Sequence, residues 1–177
     1  MLKRARFFLF LILICSSVIT YGQELHSSNR RAIKAFNRAV EYFDRRDDEM
    51  ALIFCNKAIK ADKSFVEAYM MKAQILKDRG DYANAINNFK KALSIDPDFY
   101  PEGYMVLASA QFNSGKYIEA ADNIKIFLDK KVFRQISREE AVAFLEKANF
   151  AVTSKNNPVP FNPVNLGDSI NSELNEY

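Results

Sequence analysis

Between Val66 and Phe99 apolar residues recur three and four positions apart, the spacing that gathers them on one face of a helix. The pattern predicts one helix from Glu67 to Arg79 and a second from Tyr82 to Ser94. Gly80-Asp81 breaks it between them, and Asp96-Pro97 stops it afterwards. Gly80 stands just past the last turn of the first helix, where a left-handed residue costs least. Asp81 is placed to cap the second helix with its carboxylate, and Pro97 cannot continue a helix interior. The two helices therefore fold back on each other. Ala73, Ala85 and Ala92 are small where the helices must approach, while Tyr69, Leu76, Tyr82, Phe89 and Leu93 fill the remaining space.

The same pattern recurs on both sides. A shift back by 34 residues, to Ala32–Phe65, matches Ala39 to Ala73, Tyr42 to Leu76, Ala51 to Ala85, Cys55 to Phe89 and Ala58 to Ala92. A shift forward by 35, from Pro101, matches Tyr104-x2-Leu107-Ala108 to Tyr69-x2-Lys72-Ala73, Gly115 to Gly80, and Ala120-x3-Ile124 to Ala85-x3-Phe89. The first copy departs most: Arg46-Asp47 replaces the glycine turn and Lys63 the proline. Arg38 and Lys72 stand where a large aliphatic side chain is expected, so their stems are expected to cover apolar surface while the charges reach water. Ser137-Arg138-Glu139-Glu140 has capping-box spacing and predicts a further helix to about Thr153, with Ala141, Phe144, Leu145 and Ala148 on one face. It closes the stack or opens an incomplete fourth unit. Units of this kind bury their apolar faces against neighbours, so about three copies with polar ends make a stable array.

The landmarks Tyr69-x2-Lys72-Ala73-x2-Leu76, Ala85-x3-Phe89, Ala92 and Pro97 resemble the tetratricopeptide repeat (TPR), with its W-x2-L-G-x2-Y, A-x3-F and closing proline over 34 residues. The resemblance implies an all-α, right-handed TPR solenoid of about three helix-turn-helix repeats (about 32–65, 66–99 and 101–134) plus a C-terminal capping helix, within a domain spanning 23–155. It also implies that the first helix of each pair lines a concave groove for a partner segment. Carried over by register, the groove candidates are Phe36, Asn37, Val40 and Phe43; Met70, Met71, Gln74 and Lys77; and Met105, Val106, Ser109 and Phe112. Packing between adjacent repeats is the competing role at every one of these positions. Three methionines and several aromatics in one stripe would make an adaptable, partly apolar surface. No ring of Lys/Arg with Asn repeats across the units, so clamping of acidic peptide termini is not favoured.

Charge and leader composition narrow the context. Lys3, Arg4 and Arg6, the apolar run Phe7–Cys15, and Thr20-x-Gly22 before Gln23 have the anatomy of a secretory signal peptide over 1–22. The run is too short for a spanning helix, which needs roughly 20 residues. Leu13 and Ile14 are bulky before Cys15, which disfavours lipidation there. The segment holds three of the 25 Lys+Arg and none of the 22 Asp+Glu, leaving the rest neutral. A neutral domain offers no basic footprint for nucleic acid or anionic lipid. Cys55 then stands alone on an inward helical position and reads as a buried small hydrophobe. His26, the sole histidine, is expected in a flexible start with an incidental or structural role. One Cys and one His do not make a zinc site, no glycine-rich phosphate loop occurs, and the mixed-sign run Asp44–Glu49 reads as a solvated turn. The expectation is a non-enzymatic protein with no cofactor, metal or small-molecule substrate.

Residues 156–177 change character. Three prolines at 158, 160 and 163 preclude a helix, and the polar remainder reads either as a disordered tail or as a linker. The stretch PVPFNPVNLGDSINSELNEY is similar to the lead-in from a TPR segment to a TolB/WD40-like propeller. Gram-negative envelope proteins with that arrangement often end in an OmpA-like peptidoglycan-binding domain, as in type IX secretion machinery. The resemblance implies an exported, periplasmic or outer-membrane-associated scaffold whose partners are other envelope proteins or peptide segments, with any membrane association indirect. The alternative is a rigid spacer arm leading to a propeller/OmpA-like region beyond this chain.

Overall fold

The computed structural model describes residues 25–133 and 135–158. The expected signal peptide and nearly all of the Pro/Asn-rich segment lie outside these. Within them the chain forms α1 (Arg30–Asp44), α2 (Asp48–Ala61), α3 (Val66–Asp78), α4 (Tyr82–Ile95), α5 (Gly103–Asn113), α6 (Tyr117–Lys130) and α7 (Arg138–Asn156), with no strand among the described residues. Helices pair as α1/α2, α3/α4 and α5/α6, and each hairpin packs on the next through α2/α3 and α4/α5, with α7 closing on α6. Stacking of chain neighbours is what a repeat array requires, and it is the all-helical fold the pattern predicts.

Small residues set the spacing. Ala39, Ala73 and Ala108 on the first helices, and Ala51, Ala85 and Ala120 on the second, are all wholly buried. At the matching large position Cys55, Phe89 and Ile124 are buried as well. Three contiguous apolar clusters result, one centred on each hairpin and its junction. Gly103 lies close to α3: a Cβ there would stand 2.7 Å from the Met70 terminal methyl, the movable end of that side chain.

All three hairpin turns have one geometry. Arg46, Gly80 and Gly115 take left-handed φ values of 62°, 81° and 75°. Their N–H groups donate to Phe43, Lys77 and Phe112, and the next residues, Asp47, Asp81 and Lys116, donate to Tyr42, Leu76 and Gln111. These paired bonds satisfy carbonyls the helix end would otherwise orphan. Asp47 and Asp81 then cap α2 and α4 through their side chains. Arg46 therefore does what glycine does in the other two turns. The capping box at Ser137 and Glu140 is complete, and α7 runs to Asn156, beyond the expected Thr153, because Pro158 is the first residue that cannot follow it.

Candidate functional site

The first helices α1, α3 and α5 present the groove candidates as four register-matched trios. Phe36, Met70 and Met105 form the first. Phe36 is buried against Phe65, at 4.9 Å between ring centroids, Met105 is buried, and Met70 is half-buried. In the second, Asn37 is exposed, Val106 half-buried and Met71 buried. In the third, Val40 and Ser109 are half-buried and Gln74 is buried, its side-chain amide donating to Asp78 at 2.9 Å. Phe43, Lys77 and Phe112 make up the fourth, all half-buried. The middle repeat is the most covered because it alone has a complete repeat on each side. Packing claims Phe36, Met71, Gln74 and Met105, while Asn37, Val40, Met70, Lys77, Val106 and Ser109 keep accessible surface. Lys77 pairs with Asp78 at 3.1 Å, and Phe112 packs on Tyr117 and Phe144 beneath the Lys147 ammonium. The Lys72 ammonium reaches Asn56 Oδ1 at 2.7 Å, so its polar end is held by α2.

A second constellation lies where the repeats join, and here the sequence-based expectation for His26 needs correcting. His26 is not in a loose start. Its ring Nδ1 lies 3.2 Å from Glu67 Oε1, its Nε2 2.9 Å from Asp96 Oδ2, and its ring meets Phe99 edge-on at 4.5 Å. Its backbone N–H also donates to Glu67 Oε1 at 3.1 Å. Ser27, almost fully buried, donates its hydroxyl to Asp62, and Asn29 donates to the Ala61 carbonyl while capping α1. Hydrogen bonds from His26 and the Asp98 backbone hold the Asp96 carboxyl below its ordinary range, and bonds from Ser27 and Ser64 do the same for Asp62. Glu67 is 7 % exposed and keeps Oε2 buried without a partner. Glu102, its equivalent one repeat on, is 1 % exposed with Oε1 likewise unpaired. Pattern reading missed this edge, although Asp62 and Asp96 recurring 34 apart was a signal for it.

Chemistry elsewhere is sparse. Burial pushes the Cys55 thiol up to about 12, with the Lys72 charge only partly opposing it, so no thiolate nucleophile is available there. Among the described residues no group of three His, Cys, Asp or Glu could hold a metal ion, and no helix is long and apolar enough to cross a membrane.

Residues 66–99 match the family described as Tetratricopeptide repeat. The fold is similar to the first TPR of Spaghetti (RPAP3) bound to HSP90 peptide SRMEEVD, at 20% identity and a TM-score of 0.63, covering 74% of this chain and 100% of that one. It is also similar to the TPR2B domain of yeast Sti1 in its complex with pHsp70, at 21% identity, TM-score 0.56, covering 71% and 98%. The Sgt2 TPR domain of Aspergillus fumigatus matches at 16% identity, TM-score 0.60, covering 78% and 91%. One segment of this chain thus matches the tetratricopeptide repeat, and the described residues share the all-helical fold of TPR solenoid domains.

Proposed function

We propose that this protein is a non-enzymatic interaction scaffold that holds a partner segment along α1, α3 and α5, and that it works in the bacterial cell envelope. The observation that carries the binding role is the accessible line Asn37, Val40, Met70, Lys77, Val106 and Ser109, which mixes apolar and polar side chains across three stacked helices. Peptide complexes of similarly folded domains support a segment, rather than a small molecule, as occupant. Export rests on the leader anatomy of residues 1–22. The envelope setting rests on the resemblance of residues 158–177 to a propeller lead-in.

The test is affinity capture from an envelope extract with the full tagged chain, beside the triple variant Val40→Gln, Met70→Gln, Val106→Gln. The expected result is a specific partner retained by the parent chain and lost by the variant at unchanged circular dichroism. Equal retention by both would move the binding surface elsewhere. Nothing specific on either would favour the spacer-arm reading. Cell fractionation showing the chain on the cytoplasmic side would overturn the envelope assignment separately.

A further inference from the structure

Residues Leu25–Asn29 precede α1, and while Asn29 caps that helix, the strap ahead of it reaches as far as the second repeat. Leu25 packs against the first core cluster, Ser27 reaches the α2–α3 turn, and His26 reaches α3 and the end of α4. We propose that this strap is a clasp whose seat, formed by Glu67, Asp96 and Phe99, binds a cationic imidazole ring, so that the clasp closes with the protonated His26 and opens when the ring loses its proton.

The geometry carries the assignment. A neutral imidazole has one N–H and one bare lone pair, whereas the imidazolium donates from both nitrogens. Here both nitrogens face carboxylate oxygens, at 3.2 Å and 2.9 Å. A neutral ring must therefore set a lone pair against an anion on one side. The loss is largest at Glu67, whose Oε1 accepts only from His26 and whose Oε2 has no partner, deep enough that water cannot readily replace the donor. The charged groups around the ring agree in sign. Glu67 faces it from α3 and Asp96 from the end of α4. Asp62, in the α2–α3 turn, engages the next residue of the strap. Asp98 is answered by Lys130 of α6 at 2.6 Å, whose ammonium also senses Asp96. No cation among these groups faces the ring itself. Burial works against the charged ring, but the bonds and charges of Asp96 and Glu67 outweigh it, so the histidine stands above its ordinary value of 6.5. A group whose folded value is raised contributes its full stabilisation below the unfolded value and loses it as pH rises through the folded one. The clasp is therefore shut in mild acid and opens on the alkaline side.

His26 is the sole histidine in the sequence, so its ring carbon-bound protons give an unambiguous NMR titration in the full chain. The expected midpoint lies above 6.5, and Asp96→Asn, a shape-conserving change at a partly exposed site, should bring it down toward the ordinary histidine value. The protection factor of the His26 amide, which removes the intrinsic pH dependence of exchange, should fall through the same midpoint while those of α3 stay level. Three results would each overturn the proposal: a midpoint at or below 6.5, an unchanged midpoint in Asp96→Asn, or constant His26 amide protection across the titration.

Discussion

Phe112 of α5 meets Phe144 of α7 edge to face, with ring centroids 5.5 Å apart. Lys147 lies 5.0 Å over the Phe112 ring and Lys155 5.7 Å over that of Tyr117, itself packed on Phe112. Helix α7 is thus fastened to the third hairpin by the Phe112–Phe144 pair and by two of its own ammonium groups, one over Phe112 and one over Tyr117. A fully buried Phe→Ala change costs roughly 3–5 kcal/mol. Phe144 is only half-buried, so Phe144→Ala is expected to cost about 1–3 kcal/mol in urea denaturation. Amide exchange should quicken in α7 and little in α1–α4, because coupling in a repeat array falls off with distance.

The three hairpin turns make a matched test. Gly80 has open space where a Cβ would stand, so Gly80→Ala is penalised by its φ of 81° and by little else. A loss of about 1 kcal/mol is expected. Arg46 already bears that penalty at φ 62°, and Arg46→Gly should gain about 0.5–1 kcal/mol once glycine's larger unfolded-state entropy is subtracted. Denaturation midpoints moving in opposite directions would bear this out; both falling would mean the Arg46 side chain holds more than its backbone.

Ala85 is wholly buried among Ile86, Phe89 and Leu107. Ala85→Leu should overpack the helix pair and cost about 1–3 kcal/mol. An unchanged midpoint would contradict the close approach of α3 and α4.

Cys55 is fully buried with its thiol held up to about 12. Thiol reagents at mildly alkaline pH should therefore leave it unmodified in the native chain and label it only as fast as the first hairpin opens. Prompt stoichiometric labelling without denaturant would show that α1 and α2 do not enclose it.

The fold was readable because alanines at one register are small for one reason in every copy. Ala39, Ala73 and Ala108 are each wholly buried, and period-bound packing leaves a mark that a shift of 34 or 35 exposes. The groove stripe was legible only as a face. Met71 is buried and Val106 half-buried at one register, a difference set by how closely the neighbouring helices cover each position, which the repeat pattern does not record. Arg46 escaped because the turn is set by backbone bonds to Phe43 and Tyr42, which any side chain can accompany at a cost. Gln111 escaped similarly: it takes the place of Leu76 in the third copy, buried, and its polarity is answered by Asn123 at 2.9 Å. His26 was the largest omission. It lies ahead of the first repeat, and its partners Glu67 and Asp96 are 41 and 70 residues away, a pairing that helical periodicity does not report.

The strap alters how the array carries mechanical load. In a plain stack, tension on the leading end of the chain must peel the first hairpin before it reaches the second. Here Leu25–Ser27 are joined directly to the α2–α3 turn, α3 and the end of α4, so a pull from that end is shared by two hairpins at once and acts on the carboxylate contacts of His26 and Ser27. An electrostatic fastening therefore stands ahead of the apolar packing of the first hairpin and is the first thing such a pull meets.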